Sequence, residues 1–96
     1  MDLLVTYDVD TTTRAGQRRL RRVAKICEGY GQRVQYSVFE VVCSDIERLK
    51  LTAALTDAIS TETDNIRIYK LPQGALDNVE HLGITTHLDH RGPLVI

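Results

Sequence analysis

Two aspartates, Asp8 and Asp10, stand where the short apolar run from Leu3 to Val9 ends, and a dense set of cations follows: Arg14, Arg18, Arg19, Arg21, Arg22 and Lys25. Carboxylates beside several guanidinium groups suit phosphodiester chemistry. A carboxylate can hold Mg²⁺, which typically binds through one or two carboxylates and keeps several waters, and the ion then polarises a phosphate and activates water. One carboxylate per chain is thin ligation for such an ion. A two-fold axis that brought Asp8 of two copies together would supply the second, which ties any catalysis to dimerisation. The same aspartates have a purely structural use, because a negative side chain near a helix N-terminus is favourable and caps the turn.

Other constellations carry less. His81, His87 and His90 with Asp89 match no helix face and no zinc spacing. Ser37 has no histidine at a useful spacing, and Cys27 falls on an apolar helix face, so nucleophilic catalysis has no constellation behind it. Glycine-rich phosphate loops are absent from the sequence. Tyr7, Tyr36, Phe39 and Tyr69 are candidates for base stacking, although aromatic side chains in strands more often fill a core.

The elements that must position these groups are legible from periodicity. Leu3 to Val9 is rich in β-branched and aromatic residues and reads as a buried strand entering a turn. Leu20, Val23, Ala24 and Cys27 recur at helical spacing, with Arg14, Arg18, Arg21 and Lys25 along the opposite side. Gly29-Tyr30-Gly31 then offers residues that tolerate positive φ, and the helix is expected to stop there. From Arg33 to Cys43 the apolar phase slips: Val34, Tyr36 and Val38 share one face, then Phe39, Val41 and Cys43 the other. A bulge, or a bend that divides the stretch into two strands, restores one buried face. Ser44 followed by Glu47 is a capping box opening a helix to about Ser60. Asn65 to Leu71 alternates as a strand that Pro72-Gln73-Gly74 ends, and Val79 to Leu82 is a further short strand candidate.

The order is β-α-β-β-α-β with an appended C-terminal strand, an α+β fold of the ferredoxin-like kind with both helices on one face of an antiparallel sheet. A single domain over 1–96 accommodates it. The apolar end Pro93-Leu94-Val95-Ile96 is hard to bury within so small a chain, so a tail of about 84–96 is expected at a dimer interface, against a second copy's sheet edge.

Composition bounds the function. With 43% hydrophobic and 26% charged residues the chain lies far from the disordered class. Its net charge of −1 hides an asymmetry: between Thr11 and Arg33 lie six α-helical cations and Arg33, opposed only by Glu28, a local charge of +6. Such a concentration marks either a polyanion-facing surface or a solvated helix face. Cys27 and Cys43 lie in apolar stretches without metal or disulfide spacing and read as reduced core residues. No apolar run approaches the roughly 20 residues that span a bilayer, and the amino terminus lacks a signal-peptide pattern, so a cytoplasmic protein with no membrane partner is expected.

Tyr7-Asp8-Val9 after an apolar strand, the arginine-rich helix and, above all, Gly31-Gln32-Arg33-Val34-Gln35-Tyr36-Ser37-Val38-Phe39-Glu40 resemble the Cas-two family of CRISPR adaptation proteins over roughly residues 2–71. The resemblance implies a homodimer in which Asp8 faces its symmetry mate and coordinates Mg²⁺, or Mn²⁺ in its place. It implies Tyr7, Asp8, Arg33 and Phe39 as the active-site set. For the helix it implies a functional arginine, with Arg22 suggested by the Val23-Ala24 pair and Arg18, Arg19 and Arg21 as close competitors. Two roles go with the family: a metal-dependent endonuclease of RNA or DNA, and a non-catalytic scaffold that grips duplex DNA beside the CRISPR integrase during spacer acquisition. A regulatory ligand-binding domain on the same fold is a third possibility, and it would bind DNA weakly and without salt dependence. An acylphosphatase-like enzyme would need a glycine-rich loop where Asp10-Thr11-Thr12-Thr13 stands, and an RNA-recognition module would need paired aromatics in a basic-glycine-aromatic context that Val34 to Val42 lacks.

Overall fold

A computed structural model describes residues 1–84 of the chain. Strand β1 (Asp2–Asp8) leads into helix α1 (Arg14–Glu28), followed by β2 (Gly31–Gln35), β3 (Val38–Val42), α2 (Asp45–Ala58) and β4 (Asn65–Leu71). The sheet order is β2-β3-β1-β4 with every neighbouring pair antiparallel, the ferredoxin-like α+β arrangement expected from the sequence.

Strand alternation places Leu3, Val5 and Tyr7 of β1 and Phe39 and Val41 of β3 on the buried face, where they meet Val23 and Cys27 of α1 and Leu51, Leu55 and Ala58 of α2. Because Tyr7 points inward, Asp8 must point outward, and it is exposed at the strand's end. The other face of the sheet carries Leu4, Val42 and Tyr69, of which Val42 is 66% and Tyr69 41% exposed.

Both devices that restore the slipped phase between Arg33 and Cys43 are present. The stretch divides at Tyr36-Ser37 into two strands, and the β2–β3 register shifts between Arg33 and Gln35. Each helix begins on a side-chain cap: Thr13 accepts from Gly16 N at 3.0 Å, and Ser44 and Glu47 exchange the two bonds of the capping box at 3.2 and 2.8 Å.

Two expectations are corrected. Helix α1 stops at Glu28, before Gly29-Tyr30-Gly31 as expected, but not on a left-handed glycine, since Gly29 keeps helical φ and ψ. Instead its last turn tightens, with Gly29 N donating to Lys25 and Ile26 carbonyls and Tyr30 N to the Cys27 carbonyl. Gly31 is needed for a different reason: a Cβ there would run into the Glu40 carbonyl and the Val41 side chain of β3. The second correction concerns Val79 to Leu82, which forms no strand; Val79 is 54% and Leu82 81% exposed. Gly74, at φ 83°, turns the chain into a 3₁₀ turn over Ala75–Asn78, and Leu76 N anchors it on buried Asp2 at 3.0 Å. The chain leaves the sheet at this turn, and residues 79–82 pair with none of its strands. The expected interface segment at 84–96 falls, apart from Ile84, outside the described residues.

Candidate active site and nucleic-acid interface

The end of β1 is bound to the tip of the β2–β3 hairpin. Tyr7 N donates to the Ser37 carbonyl at 3.1 Å, and the Tyr7 hydroxyl donates to the Tyr36 carbonyl at 3.1 Å. Burial pushes the Tyr7 phenol above its usual range, against the opposing pull of Arg33, so the group remains a proton donor at neutral pH. The Tyr7 ring stacks beside that of Phe39, with centroids 6.1 Å apart, and the Arg33 guanidinium lies 5.2 Å from the Phe39 centroid. Arg33 Nε is buried and finds no hydrogen-bond acceptor among the described residues. The Arg33 side chain also lines an adjoining cavity, where a guanidinium suits a phosphate oxygen.

Beside this cluster opens a cavity of about 440 Å³, bounded by Tyr7, Asp8, Arg21, Arg33, Tyr36 and Ser37 among others. It brings one carboxylate together with two guanidinium-bearing residues from different elements. Asp10 is not among its walls. Its Oδ1 accepts from the amide and hydroxyl of Thr12 at 2.9 and 2.7 Å, and these bonds hold its carboxyl below the usual range. Asp10 therefore stabilises the turn while Thr13 caps the helix, which separates the roles of the two aspartates.

The cations of α1 also separate. Arg19 Nε pairs with Asp64 at 2.8 Å and Arg22 Nη2 with Asp57 at 2.9 Å. Arg14, Arg18, Arg21 and Lys25 are exposed, stand at helical spacing along one stripe, and make no ion pair among the described residues. Of the helix arginines only Arg21 lines the cavity; Arg22, the position suggested by alignment of the Val23-Ala24 pair, is engaged with α2.

The remaining candidates are placed as follows. Tyr7 and Phe39 are core residues, while Tyr36 is 83% exposed on the hairpin tip. Cys27 and Cys43 are free and buried, and burial pushes the Cys27 thiol up to about 12, so it is no nucleophile at neutral pH. His81 is exposed with Nε2 3.2 Å from the Ile84 carbonyl; His87, Asp89 and His90 lie outside the described residues. Among the described residues no group of three or more His, Cys, Asp or Glu could hold a metal, and Asp8 is the one carboxylate lining the cavity. Mg²⁺ binds through one or two carboxylates and keeps several waters, so Asp8 fits such an ion as one of its ligands.

Asp64 was not apparent from the sequence. Its carboxylate is fully buried, and hydrogen bonds from Arg19, Ser60, Asp10 and Thr63 hold it well below the usual carboxylate range. The only signal for it was an acid directly before an alternating strand, at the end of a polar run that also holds Glu62.

The family model described as "CRISPR associated protein Cas2" matches residues 1–79. The chain is 44% identical over 95 residues to "CRISPR-associated endonuclease Cas2" of Halalkalibacterium halodurans, covering 99% of both chains. It is 45% identical over 96 residues to "CRISPR-associated endoribonuclease Cas2" of Chlorobaculum tepidum, covering 100% of both. Among solved structures, Streptococcus pyogenes Cas2 at pH 6.5 superimposes with a TM-score of 0.76 at 51% identity, over 86% of this chain and 100% of that one. With a family match over most of its length, relatives of this identity and the same fold, the chain belongs to the Cas2 family of CRISPR-associated proteins.

Proposed function

We propose that this protein is a CRISPR adaptation nuclease that works as a homodimer and hydrolyses phosphodiester bonds of RNA or DNA. The observation that carries the reading is the exposed Asp8 carboxylate at the rim of a cavity that also holds Arg21 and Arg33. The endonuclease and endoribonuclease names of the relatives support the reaction class and leave the polymer open.

In this reading Arg33, stacked on Phe39, and Arg21 take the phosphate oxygens, and Asp8 from each of two copies holds one divalent cation, Mg²⁺ or Mn²⁺. The ion, when bound, supplies charge neutralisation at the phosphate and lowers the pKa of water. Water oxygen bonds to phosphorus, the bond to the leaving oxygen breaks, and the proton released by water ends on that oxygen. Tyr7 is a donor to backbone, not a base, and keeps the hairpin tip against Asp8. The sheet face bearing Leu4, Val42 and Tyr69 supplies apolar surface for pairing two copies.

The stripe of Arg14, Arg18 and Lys25 favours a second reading, because none of the three lines the cavity and an exposed row of cations suits a grip on duplex beside an integrase partner. A mixing experiment tests the two-copy site. Wild type is titrated with excess Asp8→Ala protein under conditions of subunit exchange, and cleavage is followed against total wild type. A fall steeper than simple dilution supports a shared site, whereas unchanged cleavage refutes it.

A further inference from the structure

No hydrogen bond from a described side chain fixes the Asp8 carboxylate, so its direction is set by the backbone that carries it. On its N-terminal side that backbone is held by the sheet, through Tyr7 N on the Ser37 carbonyl; on its C-terminal side it is tied to Asp64. Asp64 Oδ1 accepts from Asp10 N at 3.0 Å, and Asn65, next in sequence, is the register partner of Asp8. Thus residues 8 and 10 are tied to the adjacent positions 65 and 64. The carboxylate is itself anchored on all sides: Oδ2 accepts from Arg19 Nε at 2.8 Å and Ser60 N at 2.9 Å, and Oδ1 also accepts from Thr63 Oγ1 at 3.1 Å. A buried carboxylate is tolerated only with its charge and lone pairs satisfied, and here they come from α1, the β1–α1 loop and the α2–β4 loop. From the other side, Gly16 packs so closely on the Asp10 carbonyl that no Cβ fits between them.

We propose that Asp64 is a positioning residue for the nuclease site: by holding Asp10 N it fixes the segment from which Asp8 projects. This rests on the reading of Asp8 as the metal-holding carboxylate. It also removes Arg19 from the nucleic-acid surface, because its Nε and Nη2 are committed to Asp64.

The test compares wild type, Asp64→Ala and Asp64→Asn, each kept well below its unfolding midpoint. Amide hydrogen exchange at Asp10 and Thr12 reads the clamp, independently of activity. Steady-state cleavage with Mg²⁺ and polymer binding read its consequence. In Asp64→Ala, Asp10 exchange is expected to rise by about tenfold or more. Its kcat is expected to fall by about tenfold or more, while polymer affinity, carried by the α1 stripe, changes less than about twofold. Asp64→Asn keeps an oxygen for Asp10 N and is expected to fall between wild type and Asp64→Ala in both readouts. A folded Asp64→Ala with wild-type Asp10 exchange overturns the proposal, as does loosened exchange with wild-type kcat. If Asp64→Ala does not fold, wild-type exchange and kcat in Asp64→Asn overturn it equally. A wild type that cuts nothing refutes the nuclease reading, and the exchange comparison still decides whether Asp64 clamps the loop.

Discussion

The Tyr7 hydroxyl donates to the Tyr36 carbonyl across 29 positions of sequence, so a buried ring on β1 holds the exposed tip of the β2–β3 hairpin beside Asp8. Tyr7→Phe keeps the stack on Phe39 and removes only the donor. Thermal unfolding is expected to show a loss of about 1 kcal/mol, the usual value for one such bond. Because burial keeps Tyr7 protonated, the pH profile of cleavage below about pH 9 is expected to be the same for wild type and Tyr7→Phe.

Phe39 is fully buried and supports both Tyr7 and Arg33. Phe39→Ala is expected to lose about 3–5 kcal/mol in denaturant unfolding. Phe39→Leu preserves most of the volume but not the flat surface under Arg33. It is expected to stay folded and bind polymer more weakly than wild type in a fluorescence titration.

The division of α1 into free and paired cations has a salt signature. Arg18→Gln or Arg21→Gln is expected to flatten the slope of log affinity against log salt by about 0.7–0.9, as for one lost phosphate contact. Arg19→Gln and Arg22→Gln are expected to leave the slope unchanged, and Arg19→Gln to lower the melting temperature, since it strands buried Asp64. Equal slopes for all four variants would refute the division.

Asp64 makes stability depend on acid. Its folded carboxyl lies below the unfolded value of 3.8, first because Arg19 donates to it. The stability this confers is complete above the unfolded value and is lost as pH falls through the folded one. Unfolding free energy is therefore expected to decline as pH drops below about 4. In Asp64→Asn, which starts lower at neutral pH, this decline is expected to be shallower.

Much of this was legible in the chain. Apolar alternation in Leu3 to Tyr7 fixed which face carries Asp8, and Ser44 with Glu47 marked the start of α2 to the residue. The division of Arg33 to Cys43 followed from a phase slip that no flat strand accommodates. Long-range polar contacts were not legible, because periodicity reports which way a side chain faces and not what it meets. Arg19 and Arg21 look alike in sequence, yet one meets Asp64 and the other the cavity. Gly29 marked where α1 ends, though not the tightened turn that ends it, and Val79 to Leu82 misled because two apolar residues do not say whether a segment joins a sheet.

The most direct test is cleavage of labelled duplex DNA and single-stranded RNA by wild type and Asp8→Ala, with Mg²⁺ and with chelator, beside a binding titration. Wild type is expected to cut one or both polymers only with the metal, and Asp8→Ala to bind with wild-type affinity but not cut. If neither protein cuts while both bind duplex with a steep salt dependence, catalysis at Asp8 is refuted and the basic helix serves a scaffold.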